Sequence, residues 1–211
     1  MFFCPKEFTI EQCFVGKRHL EEAIKSFTDV KFVVNWKPFF LNPSLPDDGV
    51  PLLDYLAGKY GAEAAEAALS SAGDSCRKVG IKFNPSPLMV KTIKAHCLID
   101  YATTQNKQEA VAESLFHHFF ELAHNISCED VLQQVASESD LDTSAAIMHI
   151  QDQGVAARVM GEGLEARKTG ISSVPFYSIV AKGCVTPVAL SGVQSSDTFK
   201  EIFTKMLDQH I

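Results

Sequence analysis

The most reactive side chains of this sequence are those of its six cysteines. They are Cys4, Cys13, Cys76, Cys97, Cys128 and Cys184. No two of them form a C-x-x-C pair, and their spacing matches neither a disulfide framework nor a zinc site. The first residues, which include Pro5 and Lys6, lack the basic and apolar regions of a secretion signal. We therefore expect reduced thiols in a reducing, cytoplasmic compartment.

Cys13 is the cysteine best placed for thiol chemistry. It lies just before a helical pattern that runs over residues 16–27. A thiol at the N-terminus of a helix can have a lowered pKa, because free N–H groups and the helix dipole stabilise its thiolate. A free cysteine is also commonly buried as a small apolar residue. Both interpretations of Cys13 stay open at this point.

A metal site is the weaker possibility among the remaining polar residues. His117, Glu121 and His124 follow each other at helical spacing, which could place three ligands on one face. Polar residues opposite an apolar stripe usually form the solvated face of a helix. We therefore predict no metal site.

The composition is that of an ordinary globular protein of 211 residues, with 46% hydrophobic and 21% charged residues. A formal net charge of -7 argues against a nucleic-acid partner, because phosphate binding needs a basic surface. No apolar run approaches the ~20 residues of a membrane span, so no membrane partner is expected either.

The hydrophobic pattern predicts an α/β protein. Alternation over residues 31–37 predicts a strand after the first helix, and two β-prone runs, 176–181 and 185–190, predict a hairpin. A helix follows over 197–209, and the chain between 50 and 165 is helical throughout. This order is that of a thioredoxin-like fold with a large α-helical insertion. Residues 1–49 and 166–211 would form the thioredoxin-like domain and residues 50–165 the inserted one.

Several short stretches resemble one protein family. Among them are Cys13-Phe14-Val15-Gly16-Lys17, Trp36-Lys37-Pro38-Phe39, Ala95-His96, Val174-Pro175-Phe176 and Ser191-Gly192-Val193-Gln194. In this order they resemble the DsbA-like thioredoxin superfamily, and most closely its FrnE-type branch of dithiol oxidoreductases. The 2-hydroxychromene-2-carboxylate isomerases and the kappa-class glutathione transferases are relatives. The resemblance implies action on thiols or disulfides, and a cis bond between Val174 and Pro175.

The sequence departs from the family at the motif that carries the chemistry. The FrnE-type branch has the pattern C-P-W-C-[YF]-x-G-K, whose first four positions align here with Ile10, Glu11, Gln12 and Cys13. Cys13 matches the resolving cysteine, whereas Ile10 stands where the attacking cysteine should be. Thiol–disulfide exchange by a dithiol site needs both thiols. The nucleophile of the C-x-x-C motif is therefore missing in this alignment.

Two other residues near the N-terminus could supply a reactive group. An alternative alignment starts the motif at Cys4, which makes Cys4 a candidate partner for Cys13. The isomerases and transferases of the superfamily use a serine at the first motif position, and Thr9 is the nearest hydroxyl here. The sequence thus supports an oxidoreductase homologue first. The alternatives are a non-catalytic glutathione or thiol-peptide binding module and a glutathione-dependent isomerase or transferase.

The resemblance also implies a substrate-binding segment. The backbone of Val174, next to Pro175, would pair with an extended thiol-containing or disulfide-containing peptide, or with glutathione. In the glutathione-using relatives a Ser-Asp pair after the hairpin holds the ligand, and Ser195 and Asp197 occupy that stretch here. Capping of the last helix is the other interpretation of this stretch. His96 matches a family position and is interpreted as a structural histidine. No cofactor is expected apart from glutathione, and a homodimer is left open.

Overall fold

A computed structural model describes residues 2–3, 11–46 and 48–208, with only the backbone described for residues 2 and 3. The helices of this part of the chain are α1 (Gln12–Lys25), α2 (Leu52–Tyr60), α3 (Ala62–Lys78), α4 (Ile93–Thr104), α5 (Gln108–Phe116), α6 (Glu129–Glu138), α7 (Thr143–Gln151), α8 (Gln153–Lys168) and α9 (Ser196–Asp208). A π-helical turn (His117–Glu121) continues α5. The strands are β1 (Phe2–Phe3), β2 (Val50–Pro51), β3 (Leu88–Met89), β4 (Phe176–Ile179) and β5 (Val188–Ser191).

The main sheet is built around the predicted hairpin. Strands β4 and β5 pair antiparallel, with Phe176 opposite Ser191. Strand β1 pairs antiparallel with the other edge of β4, so that the strand order is β1-β4-β5. Pro175 stands immediately before β4, where its missing N–H removes no bond from the ladder. The aromatic and β-branched residues of β4 suit a central strand.

The continuous strand predicted over residues 31–37 was wrong. This segment is irregular except for an isolated bridge at Trp36. The alternation that suggested a strand is nevertheless real, because Trp36 is buried while Val33 is 72% exposed. The side-chain amide of Gln108 accepts a hydrogen bond from the Trp36 N–H at 2.8 Å and donates one to the Trp36 carbonyl at 3.0 Å. One side chain thus supplies the two bonds that a neighbouring strand would make.

The predicted helical block is present, and the short strands β2 and β3 interrupt it. Helix α4 begins at Ile93, because Leu88 and Met89 pair with β2. Just before α6, the backbone N–H and the hydroxyl of Ser127 both donate to the side-chain oxygen of Asn125. The glycines of α8 do not break the helix. Gly163 is needed for space, as a Cβ there would lie 2.6 Å from the Phe40 ring.

Two buried clusters form the body of the core. The larger joins Phe14 and Val15 of α1 to the helical block, where Leu98, Val111 and Phe120 are buried. It therefore crosses the boundary predicted between the thioredoxin-like and inserted parts, and the division at residues 50 and 165 stays a prediction.

The smaller cluster packs α9 and α1 on the main sheet. Its members include Tyr177, Phe199 and Phe203, with Trp36 beside them. Tyr177 and Phe199 meet edge to face, with their ring centroids 4.9 Å apart. This packing fixes the face of β4 on which the start of α1 lies.

Candidate functional site

Cys13 lies in the first turn of α1, as its second residue. Its exposed fraction is only 1%, and the next residues of the helix, Phe14 and Val15, are also buried. Glu11 occupies the N-cap position, and no side chain caps the helix there. The N–H groups of the first turn of α1 therefore lie close in sequence to the Cys13 thiol.

Gly16 brings this first turn against the start of β4. A Cβ on Gly16 would lie 2.2 Å from the Tyr177 hydroxyl and 3.5 Å from Cγ of Pro175. The Val174–Pro175 peptide bond is cis. The backbone N–H of Gly192 donates to the Pro175 carbonyl at 2.8 Å, which adds the loop after β5. The structure thus brings the Cys13 helix turn, Pro175 and Gly192 into one place, hereafter the thiol site.

Replacement of Gly16 by alanine should separate the two sides of the thiol site. We expect Gly16→Ala to lower the free energy of unfolding by about 2 kcal/mol, because Tyr177 is held in the core and cannot easily yield. In a Tyr177→Phe background the nearest ring atom is Cζ at 3.5 Å, an ordinary contact. There the same change should be neutral, or stabilising by up to about 1 kcal/mol through helix propensity. Urea unfolding of the four proteins measures both effects, and an equal cost in both backgrounds would contradict the contact.

The two predicted substrate-binding residues at this site are themselves buried. Val174 is 1% exposed and packs with Phe39, Ala166 and Ile171. Pro175 is buried beside it. Pairing of a substrate with the Val174 backbone therefore stays a prediction.

Ser195 and Asp197 lie at the start of α9. The Ser195 hydroxyl accepts a hydrogen bond from the Thr198 N–H at 3.1 Å, which is helix capping. Asp197 is exposed, and its carboxylate lies 3.4 Å from the Lys200 ammonium group. Their predicted role in holding glutathione stays a prediction.

Three residues of the sequence argument, Cys4, Thr9 and Ile10, lie outside the described residues. The attacking position of the motif and the alternative pairing of Cys4 with Cys13 therefore stay predictions. The structure describes Cys76, Cys97 and Cys128 as free thiols. Burial raises the pKa of Cys76 to about 12, with a further increase from Glu11 and Glu121, and burial raises the pKa of Cys97 to about 11. These two thiols are inert at neutral pH.

The three candidate metal ligands are separated by the π-helical turn. His117 pairs with Glu121, with Nδ1 and Oε2 2.7 Å apart. His124 lies beyond the end of the turn and contacts the buried His118 instead, at 2.9 Å between the two Nδ1 atoms. Within residues 11–46 and 48–208, no group of three His, Cys, Asp or Glu side chains is arranged to hold a metal ion.

Glu11 is a site residue that the sequence did not single out. Its exposed fraction is 4%, and it faces an apolar crevice lined by Leu52, Leu56 and Phe83. Burial raises the pKa of its carboxyl to about 7, although a hydrogen bond from its own backbone N–H acts in the opposite direction. Nothing in a single sequence marks this glutamate as buried, since it stands among polar and apolar residues at a helix start.

Lys17 is the second residue whose burial the sequence did not reveal. Its side chain is 3% exposed, and its ammonium group lies 2.7 Å from Glu109, 2.6 Å from Glu113 and in contact with Glu21. Burial lowers the pKa of Lys17, but the charge of Glu109 and the hydrogen bonds to the three carboxylates outweigh this effect and raise it. The ammonium group therefore stays charged and ties α1 to α5.

Comparisons with known proteins agree with this geometry. The model of the DSBA-like thioredoxin domain family matches residues 11–204. A probable DsbA oxidoreductase from Streptomyces coelicolor has a similar structure, with a TM-score of 0.83, 24% identity, and coverage of 98% of this chain and 88% of that one. A proposed protein disulfide isomerase from Nitrosomonas europaea gives a TM-score of 0.74 at 14% identity, with coverage of 100% and 97%. No curated protein matches the sequence.

These comparisons confirm the predicted thioredoxin-like fold with its helical insertion. None of the described helices combines the length and apolar character that crossing a membrane requires. The family match extends over nearly the whole chain and includes both the first turn of α1 and the segment around Pro175. The chain therefore belongs to the family of DSBA-like thioredoxin domains.

Proposed function

We propose that this protein takes part in thiol–disulfide exchange, with Cys13 as its reacting thiol. The observation that carries the proposal is the closeness of α1 to Pro175 one turn after Cys13, where a Cβ added to Gly16 would lie 3.5 Å from Cγ of Pro175. A sulfur in the first turn of α1 benefits from the helix N–H groups, which stabilise a thiolate. Family membership supports the same chemistry.

The exchange would use one protein thiol and one thiol from solution. The Cys13 thiolate attacks a substrate disulfide, the S–S bond breaks, and one substrate half leaves as a thiolate that takes up a proton. The other half stays on Cys13 as a mixed disulfide. Because isoleucine replaces the attacking cysteine at position 10, glutathione attacks that mixed disulfide, restores the Cys13 thiolate and carries away the substrate half. Glutathione is abundant in the cytoplasm, which is the location that the sequence favours. The sequence also favours the FrnE-type branch of the family.

A glutathione-driven insulin reduction assay tests the proposal. The wild type should accelerate the reaction above buffer, and Cys13→Ser should return it to the buffer rate. Cys128→Ser is the matched control, because Cys128 is an exposed free thiol at the start of α6. It should behave as the wild type. If the wild type shows no turnover above buffer, the exchange proposal fails.

The burial of Cys13 favours a second candidate function. A thiol with 1% exposure reacts slowly with a bulky disulfide, whereas a binding site needs no reactive sulfur. The protein would then be a binding module for glutathione or thiol-containing peptides. Calorimetric titration with glutathione tests this alternative, and absence of heat at millimolar ligand would rule it out. The same absence of heat would also count against an isomerase or transferase that uses glutathione.

A further inference from the structure

His118 is a fully buried histidine, and both nitrogens of its ring are engaged. It lies in the π-helical turn that continues α5, and its exposed fraction is 0%. Its Nε2 lies 3.0 Å from Oε2 of Glu138 on α6, and its Nδ1 lies 2.9 Å from Nδ1 of His124. A ring held on both sides must place its protons where both partners accept them.

The carboxylate of Glu138 fixes the proton on one side of this ring. Burial by itself would raise the pKa of Glu138. Hydrogen bonds from Ser114, His118 and Gln134 outweigh burial and lower that pKa below its ordinary value, so Glu138 stays ionised in mild acid. A carboxylate can only accept hydrogen bonds, and Nε2 of His118 therefore carries a proton.

The contact between the two histidines limits how many protons the pair can hold. Two Nδ1 atoms 2.9 Å apart form a hydrogen bond only when one of them carries a proton and the other does not. If His118 and His124 were both positively charged, two N–H groups would face each other without an acceptor. The closed pair can therefore carry one positive charge at most, whereas two separated histidines can carry two.

The titratable neighbours on the same turn are engaged elsewhere. His117 lies beside His118, with the ring centroids 6.0 Å apart, but its Nδ1 pairs with Oε2 of Glu121 at 2.7 Å. Glu121 also accepts a hydrogen bond from the Lys82 backbone N–H at 2.9 Å. Among the described residues, Glu138 and His124 are thus the titratable groups in hydrogen-bond contact with the His118 ring.

The segment 122–126 closes over His118 and is the part that can move. The backbone N–H of His124 donates to the His118 carbonyl at 2.8 Å, which holds the segment on the turn. Ala123 has a φ of 56°, in the left-handed region that is unfavourable for alanine. His124 is only half-buried. When the contact breaks, His124 can therefore reach water, and the release of the backbone at Ala123 favours this movement.

We propose that the His118–His124 contact is an acid-sensitive closure of the segment 122–126. Uptake of a second proton by the pair breaks the contact, and the segment opens. The open form binds one proton more than the closed form, so acid favours opening. Opening loosens the turn that packs on α1, where Phe120 stacks on Phe14 at a centroid distance of 6.0 Å. The proposal does not depend on the exchange reaction, because neither histidine belongs to the thiol site.

Backbone hydrogen exchange, followed by NMR at about pH 7.5 and about pH 5.5, tests the proposal. Each rate is compared with that of an unstructured chain at the same pH, which gives a protection factor. The protection factor of the His124 amide should fall about tenfold, because one extra proton gives a factor of ten per pH unit below the ordinary histidine pKa of about 6.5. The amide of Val159, a buried residue of α8, should keep its protection.

Two variants identify the group that takes up the proton. His124→Asn keeps a side chain that can donate to His118 or accept from it but cannot titrate. The fall in protection at position 124 should therefore disappear in this variant. His117→Asn is the matched control, because His117 lies on the same turn and its side chain is 46% exposed. It should show the same fall as the wild type.

Three outcomes would overturn the proposal. The contact is not acid-sensitive if the His124 amide of the wild type keeps its protection at the lower pH. The opening is global rather than local if Val159 loses protection in parallel. The second proton is bound elsewhere if His124→Asn retains the wild-type fall or if His117→Asn abolishes it. The first two outcomes need only the wild type and stand even if a variant does not fold.

Discussion

Lys17→Met is expected to lower the free energy of unfolding by about 3 kcal/mol. Removing one partner of a buried ion pair typically costs 3–5 kcal/mol, because the other charge is left without compensation. Here the loss leaves Glu21, Glu109 and Glu113 close together between α1 and α5. These carboxylates are partly exposed, so water relieves some of the repulsion, and we place the cost at the lower end of that range.

The neighbours of Lys17 make the effect specific to its charge. Arg18 also pairs with Glu113, and the indole N–H of Trp36 donates to Glu109 at 2.8 Å. Lys17 therefore stands at the centre of the contact between α1, α5 and the segment around Trp36. Methionine keeps the length and the apolar stem of the side chain, so the change removes mainly the ammonium group.

Urea unfolding measures the effect, with Lys25→Met as control. Lys25 lies in the last turn of the same helix and is exposed, so its replacement should cost well under 1 kcal/mol. The cost of Lys17→Met should also persist in high salt, because buried charges are poorly screened. A Lys17→Met protein as stable as the Lys25→Met control would show that the buried charge is not held by the three carboxylates.

Glu11→Gln is expected to stabilise the protein at alkaline pH and to have little effect in acid. Burial raises the pKa of Glu11 to about 7 from its ordinary value of 4.5. As the pH rises above 4.5, the unfolded chain loses this proton first, which favours unfolding. The resulting decrease in the free energy of unfolding is complete once the pH exceeds about 7. At 1.36 kcal/mol per pKa unit, this decrease reaches roughly 3 kcal/mol.

The Glu11→Gln variant lacks this titration, so the difference in the free energy of unfolding between the variant and the wild type should grow with pH. Urea unfolding at several pH values between 4.5 and 8.5 follows it directly. Glu66→Gln, which removes an exposed carboxyl of α3, controls for the loss of a surface carboxyl. A difference that stays constant over this range would show that Glu11 is not held in an apolar environment.

The local patterns of the sequence predicted faces and turns well. Alternation over residues 31–37 correctly marked Trp36 as buried, and the two β-prone runs correctly marked the hairpin. Both patterns are short-range, because each consists of neighbouring apolar side chains, and apolar side chains are the ones that folding buries. What the alternation could not show is that Gln108, 72 residues away, completes the hydrogen bonds of Trp36. That contact depends on where α5 packs.

The candidate site was only partly predictable for the same reason. The local pattern placed Cys13 just before a helix over residues 16–27, whereas α1 begins at Gln12 and includes Cys13 in its first turn. The contact of Gly16 with Pro175 needed the family resemblance, because the two residues are far apart in the chain. Glu11 and Lys17 are polar side chains that tertiary packing buries, and local sequence carries little sign of such burial. The π-helical turn changes the register between His117 and His124, and their spacing in the sequence gives no sign of that turn.

The bond pair between Gln108 and Trp36 has a consequence for how the molecule meets other copies of itself. A β-like segment with free N–H and C=O groups can recruit a strand from another chain, which is the first step of edge-to-edge aggregation. At Trp36 both backbone groups are occupied by one side-chain amide. We therefore expect these two bonds to disfavour intermolecular β-pairing at Trp36.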